Sequence, residues 1–261
     1  MKTVHFLFIT IITILFLILS SNFSFANFYE KGDTLNVWAV SGLNMREGPG
    51  TDFPKIKKLE YGDQIVVTDN YLQSSPLNLT VVKKNKKSDA FVLKGFWVRV
   101  KIGVQEGYVF DGYLSRFPTL AIKKIKEHRN ETWKSESLYQ YIEREIGFVE
   151  NKSDTLNIEL IQNSFIAKKG FTFNETIGKC YEANTVISDM TFQEAFLFIN
   201  VLHRFEETLR LQKLNPEKFN WQVRKVLKRK GNTIFILGND VWYATLIEKD
   251  GKILFSEEAC C

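Results

Sequence analysis

Between residues 33 and 117, apolar and polar positions alternate in short runs broken by Gly and Pro, which is the period of half-buried strands. Leu35-Asn36-Val37-Trp38-Ala39-Val40 reads as a strand, with Ser41-Gly42 turning after it. Leu43 and Met45 then face one way and Asn44 and Arg46 the other. Gly48-Pro49-Gly50 and Phe53-Pro54 next impose a long irregular loop, because Pro removes a donor and Gly admits positive φ. Ile56 and Leu59 anchor a strand whose lysines face water, Tyr61-Gly62-Asp63 turns, and 64–67 is extended again. Over 96–102, Val98, Val100 and Ile102 share one face and Trp97, Arg99 and Lys101 the other. A hairpin loop at 103–107, a strand from Gly107 to Phe110 and a closing Gly112-Tyr113-Leu114 complete the unit. Roughly five short strands with tight turns predict a small closed barrel, whose own core leads us to expect residues 27–117 to fold alone.

The pattern changes after residue 117. Residues 118–134, with Lys123, Lys124, Lys126 and Glu127, read as a linker or short helix. Residues 135–146 place Leu138, Tyr141, Ile142 and Ile146 at helical spacing, with Gly147 positioned to cap. Residues 155–187 are rich in strand formers. SDMTFQEAFLFINVLHRFEE then predicts the clearest helix of the chain. Thr191 and Glu194 form a capping box, and Phe192, Ala195, Phe196, Phe198, Ile199 and Leu202 cover most of its circumference, so it is expected to be buried. The tail reads as a meander of strands at 223–228, 233–237, 241–247 and 252–255, joined by Lys230-Gly231-Asn232, Gly238-Asn239-Asp240 and Asp250-Gly251. Ile234, Ile236, Trp242, Ala244 and Leu246 are its candidate core face. The fold class is therefore mainly β and α+β: a small barrel over 33–117, then an α+β domain over 118–261 with an antiparallel meander sheet.

The amino terminus asks for a separate reading. Lys2 precedes an uncharged apolar run over 6–19, and Ser24-Phe25-Ala26 places small residues at a cleavage point. Residues 1–26 are therefore read as a secretory signal peptide, too short in its apolar run for a stable membrane span. Removing them takes the formal charge from +5 to +4, too diffuse to indicate nucleic acid. The 22 Phe, 9 Tyr and 5 Trp support a packed core and exclude a disordered chain. Export also decides the cysteines. With only Cys180, Cys260 and Cys261 present, a bridge from Cys180 to Cys260 or Cys261 is expected in an oxidising compartment.

The stretches LNMREGPGTDFPKIKKLEYGDQIVV, FWVRV and EGYVFDGYLS resemble the bacterial SH3-type domain. That family shares a Leu-Asn-X-Arg-X-Gly-Pro opening, a Gly-Asp before a Val-rich strand, a Trp-X-X-Val strand, and a Gly-Tyr-Val ending near Tyr-Leu, all present here in order. The resemblance implies an SH3-like barrel for 33–117 and leaves 118–261 without a family. It gives Asn44, Arg46, Gly48, Gly62, Asp63 and Gly107 fold-defining roles. One departure is the span 68–95, where the family has a short hairpin. Its tip, Lys83-Lys84-Asn85-Lys86-Lys87, reads as a solvated loop or as a patch facing acidic polymer or phospholipid headgroups.

Small barrels of this type grip extended peptides on an aromatic floor, which makes Phe53, Tyr61, Trp97, Tyr108 and Tyr113 the candidate ligand-binding residues; each can also be read as barrel core. No phosphate loop, His-Glu-X-X-His or Cys-X-X-Cys occurs, so no catalytic residue, metal or cofactor is assigned. His203 with Glu206 and Glu207 could share a metal but reads as plain helix surface. The resulting expectation is an exported protein of the periplasm, cell envelope or medium that binds cell-wall peptide or an envelope protein without turnover. The alternatives are a cell-wall hydrolase or other enzyme with its site in 118–261, and a purely structural interaction module.

Overall fold

A computed structural model describes residues 29–69, 77–82, 91–127, 130–157, 160–204, 222–229, 232–238 and 242–260. The expected signal peptide 1–26, the basic tip 83–87, Glu206, Glu207 and Cys261 lie outside the described residues, as do the side chains of Ile234, Ile236 and Trp242.

The alternation over 34–115 builds seven antiparallel strands. They are β1 (Thr34–Val37), β2 (Leu43–Arg46), β3 (Lys55–Leu59), β4 (Gln64–Val67), β7 (Trp97–Ile102), β8 (Gln105–Phe110) and β9 (Leu114–Ser115), in the spatial order β3-β2-β8-β7-β4-β1-β9. Their inward residues form a closed core that includes Leu35, Val37, Met45, Leu59, Ile65, Val100 and Val109. Tyr29 belongs to this core as well, its hydroxyl donating to Leu114 O at 2.7 Å. Gly62 has φ +88, a region closed to most side chains, and its N–H donates to Val37 O at 2.9 Å. Asp63 Oδ2 accepts from Glu60 N at 2.9 Å.

The long span between β4 and β7 is more than a loop. It contains the hairpin β5 (Leu77–Val82) and β6 (Phe91–Gly95), and Leu93 is fully buried outside the barrel core.

The expectation for 118–134 fails. Instead of a linker or helix there is a hairpin, β10 (Ile122–Glu127) with β11 (Asn130–Ser135). Neighbouring lysines hid the period of two: Lys124 pairs with Trp133 and Lys123 with Lys134 across the two strands. Ile122 and Trp133 are half-buried against the large core, and Ser135 Oγ donates to Leu202 O at 3.1 Å. The following helix, α1 (Leu138–Tyr141), starts at a Ser137–Gln140 capping box. It runs into a π turn over Ile142–Ile146 that Gly147 ends at φ +85.

The rest is one eight-stranded antiparallel sheet with a helix on it. Strands β12 (Phe148–Asn157), β13 (Leu160–Ala167), β14 (Phe171–Ile177) and β15 (Cys180–Ile187) form a meander. Helix α2 (Phe192–His203), capped by Thr191 and Glu194 as expected, leads to a second meander. Its strands are β16 (Gln222–Arg229), β17 (Asn232–Gly238), β18 (Trp242–Lys249) and β19 (Lys252–Cys260). The meanders join where β15 pairs with β19, and a Cys180–Cys260 disulfide closes the end of that seam with Cα atoms 4.4 Å apart. Ala244 and Leu246 face the core as anticipated. No helix among the described residues is long and apolar enough to cross a membrane.

Candidate binding surface

Alternation in β7 turns Val98 and Val100 into the barrel and Trp97 out of it. On an isolated barrel Trp97 would meet solvent, yet it is only 8% exposed. The cover comes from the second half of the chain. Trp38, Leu93, Trp97, Phe110, Phe117 and Leu120 join one continuous core with Tyr141, Phe171, Phe196 and Phe198. The Trp38 ring lies 5.7 Å from Phe198, and its Nε1 donates to Phe117 O at 3.1 Å.

Polar contacts fix the register of this joint. Glu194 is buried, and its Oε1 accepts from Ser115 Oγ at 2.8 Å and Arg116 N at 3.4 Å, while Oε2 accepts from Thr191 N at 3.1 Å. One carboxylate thus caps α2 and pins it to β9. Gln193 Oε1 accepts from Lys94 N at 3.0 Å, tying the inserted hairpin to the same helix turn.

The five candidate residues therefore part company. Tyr61 is edge-on to Trp38 at 6.3 Å and donates to Leu120 O at 2.9 Å; burial holds its phenol well above the usual range. Tyr113 packs edge-on to Phe110 at 6.1 Å, and Tyr108 is half-buried beside the same core. Trp97, Tyr61, Tyr113 and Tyr108 thus lie in or against the large core to which Phe196 and Phe198 of α2 also belong. Phe53 stands apart at 45% exposed, on the loop between β2 and β3. Arg46 Nη1 donates to Phe53 O at 2.6 Å, and the Phe53 ring fills the space where a Cβ on Gly48 would sit, 2.4 Å from its nearest atoms. Gly107 likewise has no room for a side chain against Arg46 O and Ile56. Asn44 is half-exposed opposite Lys58 in the β2–β3 pair.

Sequence reasoning passed over Trp38, Phe110 and Phe117. Trp38 was legible as a strand aromatic, but nothing local told which element it meets. His203 also departs from expectation: it packs against Phe255 beside Glu257 rather than on an open turn. Among the described residues no group of three or more His, Cys, Asp or Glu side chains is placed to hold a metal ion.

Residues 41–115 match the family model of the bacterial SH3 domain, a span that runs from the turn before β2 to the end of β9. β1, which precedes the match, is integral to the barrel. The rest of the chain has no family match, and no curated protein and no solved structure matches the chain.

Proposed function

We propose that this chain is an exported cell-envelope protein that binds cell-wall peptide without turnover, through the loop side of its bacterial SH3 barrel. The observation that carries the proposal is the division of the barrel's aromatic residues. Trp38 and Trp97 belong to the core that α2 shares, whereas Phe53 is 45% exposed, its ring lying over Gly48 and its carbonyl bonded by Arg46. A rigidly presented aromatic ring with backbone groups around it suits an extended peptide. The apolar amino-terminal run supports export, and so does the Cys180–Cys260 bridge, since such bonds persist in oxidising compartments.

The test is co-sedimentation of the protein, starting at residue 27, with purified peptidoglycan sacculi, with soluble fragments assayed in the supernatant. Binding without fragment release supports the proposal. Release of muropeptides moves the function to an enzyme, and no binding to sacculi moves the ligand to a protein partner.

A further inference from the structure

The two faces of the eight-stranded sheet differ in cover. Register puts Phe165, Phe255 and Leu246 on one face, in the core that α2 shares. The opposite face carries a row of hydroxyl and amide side chains running from β13 to β18: Ser164, Asn174, Asn184, Ser256 and Thr245. None of these is buried. At the β12 end of this outer face lies a hollow of about 430 Å³, a size that holds a small ligand. Its outer-face lining is Glu150, Lys152, Ser164, Ile166, Thr172 and Asn174. They form two rows of three across β12, β13 and β14, Glu150-Ile166-Thr172 and Lys152-Ser164-Asn174. β12 bulges between Phe148 and Glu150, which bends the strand and re-aims the side chains beyond it.

The chemistry of the lining narrows the ligand. Glu150 and Lys152 form an ion pair, so the hollow holds no net charge to draw an ion. The next row along the strands carries Asp154, Glu182 and Glu258, which repel an anion. The side chains of Ser164, Thr172 and Asn174 have no hydrogen-bond partner among the described residues. Farther along the same row, by contrast, Ser256 Oγ donates to Asn184 Oδ1 at 2.7 Å. Two hydroxyls and a side-chain amide, each able to donate and to accept, thus face the hollow uncommitted. Ile166, 44% exposed, adds an apolar spot between them. The backbone of β13 is spent on β12 and β14, so an extended peptide would find no free strand edge here. Closely spaced hydroxyls on a sugar ring match the polar groups, and the ring's C–H face matches Ile166.

We propose that this hollow is a sugar-binding site that seats one ring of a neutral glycan chain, with Ser164, Thr172 and Asn174 bonding its hydroxyls and Ile166 under its C–H face. The row that continues through Asn184, Ser256 and Thr245 gives the neighbouring rings further hydroxyl and amide partners across β15, β19 and β18. The site belongs to the second half of the chain and shares no residue with the loop that carries Phe53. It goes beyond the peptide reading of that loop and does not depend on it. A protein with both sites would hold a glycan by its sheet and a peptide by its barrel.

The experiment is an NMR titration of the protein from residue 27 with two neutral, peptide-free probes at millimolar concentration, chitotetraose and cellotetraose. At least one should shift the Asn174 side-chain amide and the backbone signals of Ser164 and Thr172. Asn174→Ala should weaken that binding about fivefold, the scale of one hydrogen bond, and Ile166→Asp should do so as well by putting a charge under the ring. Both positions are exposed, so both variants are expected to keep the fold. Phe53→Ala should bind the tetramer as wild type does. No shift with either probe overturns the proposal. So do shifts confined to the barrel, and so does unchanged affinity in both Asn174→Ala and Ile166→Asp. Because neither probe carries a peptide, a failure of sacculus binding through Phe53 would leave this result standing, and the reverse holds too.

Discussion

Ser115 Oγ donates to Glu194 Oε1 at 2.8 Å across 79 residues of chain, with both groups buried. Ser115 ends the barrel and Glu194 opens α2, so this bond marks where the two halves of the chain become one body. Glu194→Ala removes that bond, the capping box and a buried acceptor together. The expected loss is about 2–4 kcal/mol in denaturant unfolding, against about 1 kcal/mol for Ser115→Ala, which leaves the cap intact. No loss in Ser115→Ala would show that Glu194 serves the cap alone.

The shared core predicts joint unfolding. Trp38 and Phe198 pack together from opposite halves with their rings tilted, so Trp38→Ala should cost about 3–5 kcal/mol and should lower the unfolding midpoint of barrel and sheet alike. Residues 29–117 alone keep their inner core but bare Trp38, Trp97, Phe110 and Phe117. They are expected to fold with lowered stability and to self-associate on size-exclusion chromatography. A monomeric fragment as stable as the barrel in the full chain would mean the joint contributes nothing.

How far this was legible from sequence differs by element. Turn chemistry and alternation located the barrel strands, because Leu35, Met45, Val98 and Val100 bury themselves against one another within 70 residues of chain. The capping box at Thr191 and Glu194 is equally local. Trp97 shows the limit. Its outward position could be read, but its burial belongs to a core shared with residues as distant as Phe198, and no local pattern encodes that. The β10–β11 hairpin was missed because Lys123 and Lys124 are both exposed, which erases the alternation that a strand normally displays. The candidate site was half legible for the same reason: the motif identified the aromatics, and only packing separates Phe53 from the others.

The disulfide carries a prediction of its own. Cys180 and Cys260 are direct register partners on the seam between the two meanders, 80 residues apart. Reducing the bond frees that loop in the unfolded chain, at a cost to stability of about 4 kcal/mol on the chain-entropy account. Cys180→Ser should match the reduced wild type in denaturant midpoint. A reductant effect that persists in Cys180→Ser would place the stabilising bond elsewhere.

Gly48 makes the open loop separately testable. A Cβ there collides with the Phe53 ring, so Gly48→Ala should displace the ring and weaken ligand binding several-fold while leaving the unfolding midpoint within about 1 kcal/mol of wild type. Unchanged binding with a displaced ring, seen by the ring's NMR signals, would take Phe53 out of the site.

The most direct measurement compares sacculus binding by wild type, Phe53→Ala and Tyr61→Phe. Tyr61→Phe removes only a hydroxyl on the closed side, where it donates to Leu120 O. The account predicts a loss of about tenfold or more for Phe53→Ala, the scale of a central aromatic contact, with Tyr61→Phe binding as wild type does. Wild-type binding by Phe53→Ala together with a large loss in Tyr61→Phe would contradict it, because the ligand would then be using the face that α2 covers.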